Sequence, residues 1–252
     1  MPGRISRRMA VLNAMSAETM PILYPYNTID QIVTMGGKRY RLLTITTSGN
    51  VNIPLAVAVD AWLCGGGSKG YNQTGGAGAR SSQSNAMSLA ANTNYMAIIG
   101  SAGGASSFNG LAVTAVGQSS NGGTGGGGVG GSGAGSGDGV AKIPFGASDY
   151  FTSVPCAGGG GGSSNWEYQN PPGYHGGKGG SNGANGASGG QAGAPSYAGS
   201  NGAGGDTGGG AGGGGHATFY GSGGGGYSYY NSNPNTDVGN GYQGALYVRI
   251  PL

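Results

Sequence analysis

The sequence contains few side chains whose type and spacing could support catalysis. The Gly-x-Ser-x-Gly pattern of hydrolase nucleophiles occurs at residues 66–70 and 186–190. That chemistry needs the serine on a sharp turn between a strand and a helix, a setting that neither match has, and the glycine and serine content makes such matches expected by chance. The phosphate-binding pattern Gly-x-x-x-x-Gly-Lys-Ser/Thr is absent. We therefore expect neither a nucleophilic serine nor a nucleotide site.

Acidic and metal-binding residues are scattered rather than clustered. A glycosidase needs two facing carboxylates at a defined spacing, but the acidic residues of the second half form no local cluster. They are Asp138, Asp149, Glu167, Asp206 and Asp237. The two histidines are far apart and no Cys-x-x-Cys occurs, so we expect no metal, no cofactor and no enzymatic activity. Cys64 and Cys156 are expected to be buried thiols, with a disulfide between them as the alternative.

Aromatic side chains are better candidates for a site, as a binding surface. Tyr and Trp offer rigid contact area with a polar tip, and antibody paratopes are enriched in them. Here they recur in polar segments between glycine blocks, beside asparagines and serines that add adaptable hydrogen bonds. The candidate binding residues are Trp166, Tyr168, Tyr174, His175, Phe219, Tyr220, Tyr227, Tyr229, Tyr230 and Asn231. The alternative is that some of these rings cap a core that has no other large side chains.

The glycine-rich part of the chain must position these aromatic segments. The 252 residues include 63 glycines and 11 prolines, and all the glycines except Gly3, Gly36, Gly37 and Gly49 follow Cys64. Charged residues are only 8% of the chain, whereas disordered segments usually carry high charge. Ordering glycine costs more backbone entropy than ordering any other residue. Packed polyglycine II helices, held by backbone hydrogen bonds and weak Cα–H···O contacts, could offset that cost. A flexible Gly/Ser linker is the alternative.

The first 63 residues have a different character. A short amphipathic helix is predicted within 1–20, and strands are predicted at 29–34, 40–47 and 55–64, with a turn at Gly36–Gly37. Further strands are predicted at 95–99, 111–116 and 245–250. The predicted fold is mainly β plus irregular: a small strand-rich N-terminal part, 1–63, followed by a packed polyglycine II sandwich with end loops, 64–252.

Charge and hydropathy exclude several partners. The net charge of +3 is too small to indicate nucleic acid. Six basic residues fall within the first 41, and they form either an arm that touches an acidic partner or simply a solvated basic terminus. No run of about 18 apolar residues is present, so no membrane insertion is expected. The N-terminal segment lacks the apolar core of a signal peptide, and synthesis in a reducing cytoplasm is expected.

Three segments, taken in order, resemble the glycine-rich domain of phage and prophage tail proteins. They are VDAWLCGGGS (59–68), NYMAIIGSAGGASSFNGLAVTAVGQ (94–118) and GYQGALYVRIPL (241–252). In that family an apolar strand ends in a run of glycines, a Tyr-containing strand and an SSF-type turn follow, and a VRIP-type strand closes the domain. The alternation of glycine blocks and loops is also similar to the polyglycine-sandwich adhesins at the tips of T-even-like tail fibres. Residues 1–58 do not match the attachment domain of those adhesins.

The resemblance implies a receptor-binding protein of the virion, at a tail or fibre tip. The N-terminal region would then attach to a tail fibre or other tail structural protein, and the end loops would bind a bacterial outer-surface protein or saccharide. Two alternatives stay open: a purely structural virion or tail-fibre protein, and an ice-binding polyglycine bundle. The irregular loops argue against the ice-binding bundle, which needs one flat and regular face.

Overall fold

In the computed structural model the described part of the chain is almost entirely antiparallel β-sheet. The structure describes residues 16–69, 79–114, 143–147, 149–151, 220–221 and 240–252, together with the backbone pairing of six short strands between 124 and 234. The nine longer strands of this part are β1 (Ile29–Met35), β2 (Lys38–Ile45), β3 (Gly49–Ile53), β4 (Val57–Cys64), β5 (Ser81–Leu89), β6 (Thr93–Ile98), β7 (Ser106–Phe108), β8 (Leu111–Val113) and β15 (Ala245–Pro251). Helix is limited, among the described residues, to one 3-10 turn at Pro144–Gly146.

The short strands form three antiparallel pairs. They are β9 (Thr124–Gly125) with β10 (Gly128–Val129), β11 (Asn165–Glu167) with β12 (Gly173–His175), and β13 (Tyr229–Tyr230) with β14 (Asn233–Pro234). The longer strands form a five-stranded sheet in the order β1-β2-β15-β4-β5 and a four-stranded sheet in the order β3-β6-β7-β8.

The two sheets pack face to face around one hydrophobic core. Alternate residues along each strand point to the same side of a sheet, and the inward set includes Leu43, Leu63, Val248 and Phe108. All four are at most 1% exposed. Because this core takes residues from both sheets, the architecture is a β-sandwich.

The closing strand β15 lies in the middle of the five-stranded sheet. It pairs with β2, Leu246 opposite Ile45, and with β4, Ala245 opposite Cys64. Strands from both sides of the predicted division at residues 63/64 therefore share one sheet and one core. In β4 the Cys64 side chain is buried, and its sulfur accepts a hydrogen bond from the Ala245 amide at 3.3 Å. Cys156 lies outside the described residues.

Turn chemistry explains two of the hairpins. Gly36 and Gly37, which join β1 to β2, both have positive φ, 55° and 75°, as a type I′ turn requires. Asn109–Gly110 joins β7 to β8 with φ of 39° and 84°. Asn-Gly is the strongest short hairpin signal in a sequence, and here it folds the SSFNGL segment back on itself.

The predicted strands at 29–34, 40–47, 55–64, 95–99 and 245–250 are confirmed with shifted ends as β1, β2, β4, β6 and β15, and the start of 111–116 is confirmed as β8. The strands β3, β5 and β7 were not predicted. The segment 1–15, which holds most of the predicted N-terminal helix, and the larger part of the glycine blocks lie outside the described residues.

Candidate functional site

The five-stranded sheet aligns the strand ends from which the glycine-rich segments depart. Cys64, the last residue of β4, is paired with Ala245, the first of β15, and with Ser81, the first of β5. The chain therefore enters or leaves the sheet at three neighbouring positions on one end of the sandwich. Hereafter this end is called the glycine end.

Backbones at the glycine end are joined directly to one another. The segments concerned are 65–68, 79, 100–104, 221 and 241–244, which we call the glycine junction. Six backbone hydrogen bonds join these segments. With the donating amide named first and the accepting carbonyl second, they are Gly66 to Gly104 (2.9 Å), Gly67 to Tyr242 (2.9 Å), Gly103 to Gly67 (2.8 Å), Gly221 to Gln243 (2.8 Å), Gly244 to Gly100 (2.8 Å) and Ala79 to Gly221 (2.6 Å). Stretches of chain distant in sequence are thus connected without side chains.

Close approach explains why glycine is required in the junction. A Cβ added at Gly66 would lie 1.8 Å from the Ser101 carbonyl oxygen, and one added at Gly241 would lie 1.8 Å from the Gly67 carbonyl oxygen. At Gly244 the nearest atom would be the Cys64 carbonyl oxygen, at 2.3 Å. All these distances are far inside van der Waals contact, and the obstacle in each case is backbone, which cannot rotate away as a side chain could.

A buried serine completes the junction from inside the sandwich. Ser106, at the start of β7, is 2% exposed, and its Oγ accepts the Gly100 amide at 2.9 Å. A buried hydroxyl without a partner would cost about 1–3 kcal/mol, so this bond both satisfies Ser106 and holds the 100–104 loop. The loop in turn bonds Gly66, Gly67 and Gly244.

The long segments of the chain begin or end at the junction. Residues 70–78 run from Lys69 to Ala79, and 222–239 run from Gly221 to Asn240. The segment 115–142 departs after Thr114, whose carbonyl oxygen would lie 3.7 Å from a Cβ at Gly65. The segment 152–219 returns at Tyr220. The glycine end is therefore where the sandwich holds most of its glycine-rich insertions.

Residues 143–147 and 149–151, between two of these segments, lie across the outer face of the five-stranded sheet. We call them the strap. Phe151 is 3% exposed and makes an edge-to-face contact with Tyr247, with ring centroids 5.4 Å apart. The strap belongs to a second buried cluster with Leu42 and Trp62 on that face, so the glycine-rich part contributes side chains to the packed body.

An arginine links the strap to the sheet. The Arg249 guanidinium lies 4.7 Å from the ring centre of Tyr40 and 4.4 Å from that of Phe145, which is cation–π geometry. It also pairs with Asp60 at 2.8 Å, and both side chains are less than one-fifth exposed. The other Asp60 oxygen accepts the Ala86 amide at 2.9 Å, at the bulge between β4 and β5.

Polar contacts hold the far end of the strap to the β1–β2 hairpin. The Asp149 carboxylate accepts the Gly36 amide at 2.6 Å, and the Gln31 side-chain amide donates to the Tyr150 hydroxyl. Burial raises the pKa of Tyr150, while the bond from Gln31 acts in the opposite direction and is the weaker influence. The uncharged phenol is therefore the form that the strap accommodates.

Five of the ten predicted binding residues lie in two of the short hairpins. The register places Trp166 opposite Tyr174 and Asn165 opposite His175 in the pair β11–β12. In the pair β13–β14, Tyr229 lies opposite Pro234 and Tyr230 opposite Asn233. Local backbone pairing thus places Trp166 and Tyr174 at directly opposed positions, whereas Tyr229 and Tyr230 are neighbours on one strand.

The other predicted residues have different outcomes. Tyr220 is half-buried, packs against the outer cluster and makes an edge contact with Tyr242, with centroids 5.5 Å apart. It therefore contributes to the body beside the junction, and its binding role stays a prediction. Tyr168, Phe219, Tyr227 and Asn231 lie outside the described residues.

Sequence reasoning missed the strap as a structural element. Residues 140–156 stood out only as a segment of different composition between glycine blocks. The signal was a local return of large apolar side chains, Ile143, Phe145 and Phe151, in a region that otherwise has almost none.

The serine of the first Gly-x-Ser-x-Gly match and several potential metal ligands can be located within the described residues. Ser68, the central serine of the first Gly-x-Ser-x-Gly match, is 3% exposed and belongs to the junction. Within this part of the chain, no group of three His, Cys, Asp or Glu is close enough to hold a metal ion. No helix there is long and apolar enough to cross a membrane. Comparison with family models, with curated proteins and with solved structures gave no match.

Proposed function

We propose that this chain is a receptor-binding adhesin of a phage or prophage tail. In this proposal the β-sandwich is the mount, the glycine blocks continue from the junction as packed polyglycine II helices, and the aromatic hairpins bind a bacterial outer-surface protein or saccharide. The N-terminal region attaches the protein to a tail fibre or another tail component. The protein acts as part of the virion and has no catalytic role.

The observation that carries the proposal is the glycine junction. Six backbone hydrogen bonds join five stretches of chain there, at glycines where a Cβ would meet backbone atoms. A flexible linker does not need such contacts, because glycine serves there to give the backbone conformational freedom. Glycines selected for close approach instead support a rigid frame that can present loops in fixed positions.

The aromatic residues of the short hairpins support recognition as the purpose of that frame. Trp166 opposite Tyr174 in one hairpin, and Tyr229 beside Tyr230 on one strand of another, place four aromatic residues in locally paired backbone. Preorganised Tyr and Trp lose little conformational entropy on binding, since each has only two side-chain torsions. Interface energy is usually concentrated in a few such residues, with losses of about 2 kcal/mol or more on truncation to alanine.

Binding to whole cells tests the proposal. The fluorescently labelled full chain is screened against a panel of Gram-negative and Gram-positive strains, and the affinity for any strain that binds is measured. We expect Trp166→Ala and Tyr174→Ala each to weaken that binding by about thirtyfold, which corresponds to about 2 kcal/mol. Met96→Ala is the matched control, because Met96 is 53% exposed on the outer face of the four-stranded sheet.

Exchange of segments 163–175 and 227–238 with those of a related particle gives a second readout. We expect the exchange to change which strains are bound while the thermal unfolding of the sandwich stays the same. Absence of binding to every strain, or equal binding by the hairpin variants and the control, would reject the adhesin and favour the purely structural virion protein.

A further inference from the structure

The sandwich has four sheet edges, and three of them are protected against further strand pairing. At the β3 edge, Leu23 and Asn52 exchange backbone hydrogen bonds of 2.9 and 2.8 Å. The β5 edge is interrupted by the bulge at Ala86, whose φ is 55°. The strand β8 is only three residues long. Covering, bulges and short strands are the usual devices that prevent edge-to-edge association.

The β1 edge has none of these devices in the described residues. The strand is seven residues long, regular in register along its whole length, and free of proline and lysine. Ile29 is 54% exposed and Ile32 is 42% exposed. A long, regular and apolar edge is a template for another strand.

The hairpin turn fixes which backbone groups face outward. Met35 and Lys38 flank the two-residue turn, so they form a hydrogen-bonded pair with each other. Because the pattern alternates along an antiparallel ladder, Met35, Val33, Gln31 and Ile29 direct their backbone groups to β2. The amides and carbonyls of Asp30, Ile32 and Thr34 are left pointing away from the sheet.

We propose that this edge pairs with β1 of a second copy of the chain, with a two-fold axis at Ile32. Around that axis Ile32 lies opposite Ile32, and Asp30 lies opposite Thr34 of the second copy. All three outward residues then fall at hydrogen-bonded positions, which gives about six backbone hydrogen bonds, two for each opposed pair. The result is a continuous ten-stranded sheet across an isologous dimer.

The self-pairing register is compatible with the charges of β1, because it brings no like charges together, and this favours a second copy as the occupant. Asp30 is the only charged residue in β1, and both of its oxygens accept the Arg41 guanidinium, at 2.9 and 2.6 Å. That bond raises the pKa of Arg41, and the pair neutralises Asp30 within its own chain. The antiparallel arrangement brings neutralised Asp30 opposite an uncharged threonine, and no like charges meet across the axis.

Sedimentation velocity over a range of concentrations tests the dimer in the full chain. We expect wild type to move from monomer to dimer as concentration rises. Ile32→Lys places two like charges at directly opposed positions and should weaken the dimer at least tenfold. The matched control is Ile98→Lys on the outer face of the other sheet, where the side chain is 47% exposed, and it should leave the dimer unchanged.

A charge-swap experiment makes the axis itself falsifiable. Ile32→Lys and Ile32→Glu should each be monomeric alone and should form a heterodimer when mixed, because opposite charges then face each other. Ile32→Cys should be crosslinked across the axis by a short bis-maleimide, whereas Ile98→Cys should not. A wild type that stays monomeric at all concentrations, a dimer that Ile32→Lys leaves intact, or a failure of the mixed variants to pair would each overturn the proposal.

Discussion

Substitution of Gly66 by alanine perturbs the glycine junction at a single atom. The added Cβ would lie 1.8 Å from the Ser101 carbonyl oxygen and 3.0 Å from the Gly103 amide nitrogen. Both neighbours are backbone atoms, so the 65–68 and 100–104 segments must separate. Separation weakens the bonds from Gly66 to Gly104 and from Gly103 to Gly67, which are 2.9 and 2.8 Å long.

The magnitude follows from these contacts. Overpacking costs about 1–3 kcal/mol, and each lost backbone hydrogen bond adds roughly 1 kcal/mol. We therefore expect Gly66→Ala to lower the free energy of unfolding by about 3–5 kcal/mol. Urea unfolding followed by near-ultraviolet circular dichroism measures this change, because Trp62 and Tyr247 are buried and in edge contact.

Gly110→Ala is the matched control. Gly110 has φ of +84°, but a Cβ added there would meet nothing within 4 Å, so this variant introduces left-handed backbone strain without a steric clash. Its expected cost is about 1–2 kcal/mol. The reasoning is refuted if Gly66→Ala destabilises the protein no more than Gly110→Ala does.

Three further predictions concern the strap and the sheet beneath it. Asp60→Asn should lower the free energy of unfolding by roughly 2–3 kcal/mol, because it leaves the mostly buried Arg249 without its ion pair. The control Glu18→Gln, in a pair whose side chains are about half exposed, should change the free energy of unfolding by less than about 1 kcal/mol. Equal effects of the two variants in urea unfolding would contradict the argument. Phe151→Ala should cost about 3–4 kcal/mol by opening a cavity against Tyr247, and a loss below that of a surface substitution such as Met96→Ala would show that the strap does not pack. The folded-state pKa of Tyr150 is raised, so the stabilising contribution of Tyr150 is complete below its ordinary pKa of 10.0 and is lost as pH rises through the folded-state pKa. Wild type should therefore lose more stability than Tyr150→Phe in unfolding experiments across that pH range. Parallel losses of stability in the two proteins would contradict this prediction.

The apolar strands of the sandwich were predictable because their side chains alternate or run together. The β4 segment VAVDAWLC and the β15 segment ALYVRIP are dense in β-branched and aromatic residues, which fit a half-buried pleated surface. In contrast, β5 has the sequence SSQSNAMSL, and only Met87 and Leu89 are buried in it. Its strand state comes from pairing with β4, a tertiary effect that no local pattern contains.

The glycine junction was predictable in kind but not in position. The composition indicated that glycine backbones pack against one another, yet nothing in the spacing distinguishes Gly66 or Gly244 from the glycines around them. Close approach depends on which strands lie side by side, and the insertion of β15 between β2 and β4 could not be derived from the chain order. The hairpins that hold Trp166 and Tyr229 were likewise predicted only as loops.

Amide hydrogen exchange tests the central claim, that glycine backbones form a rigid frame from which the binding segments extend. The amides of Gly66, Gly67 and Gly244 all donate backbone hydrogen bonds in the junction. We predict that they are protected to the same degree as the amides in the centre of β4 in the native full chain. Exchange of these amides at the rate of free coil, while β4 stays protected, would contradict the account.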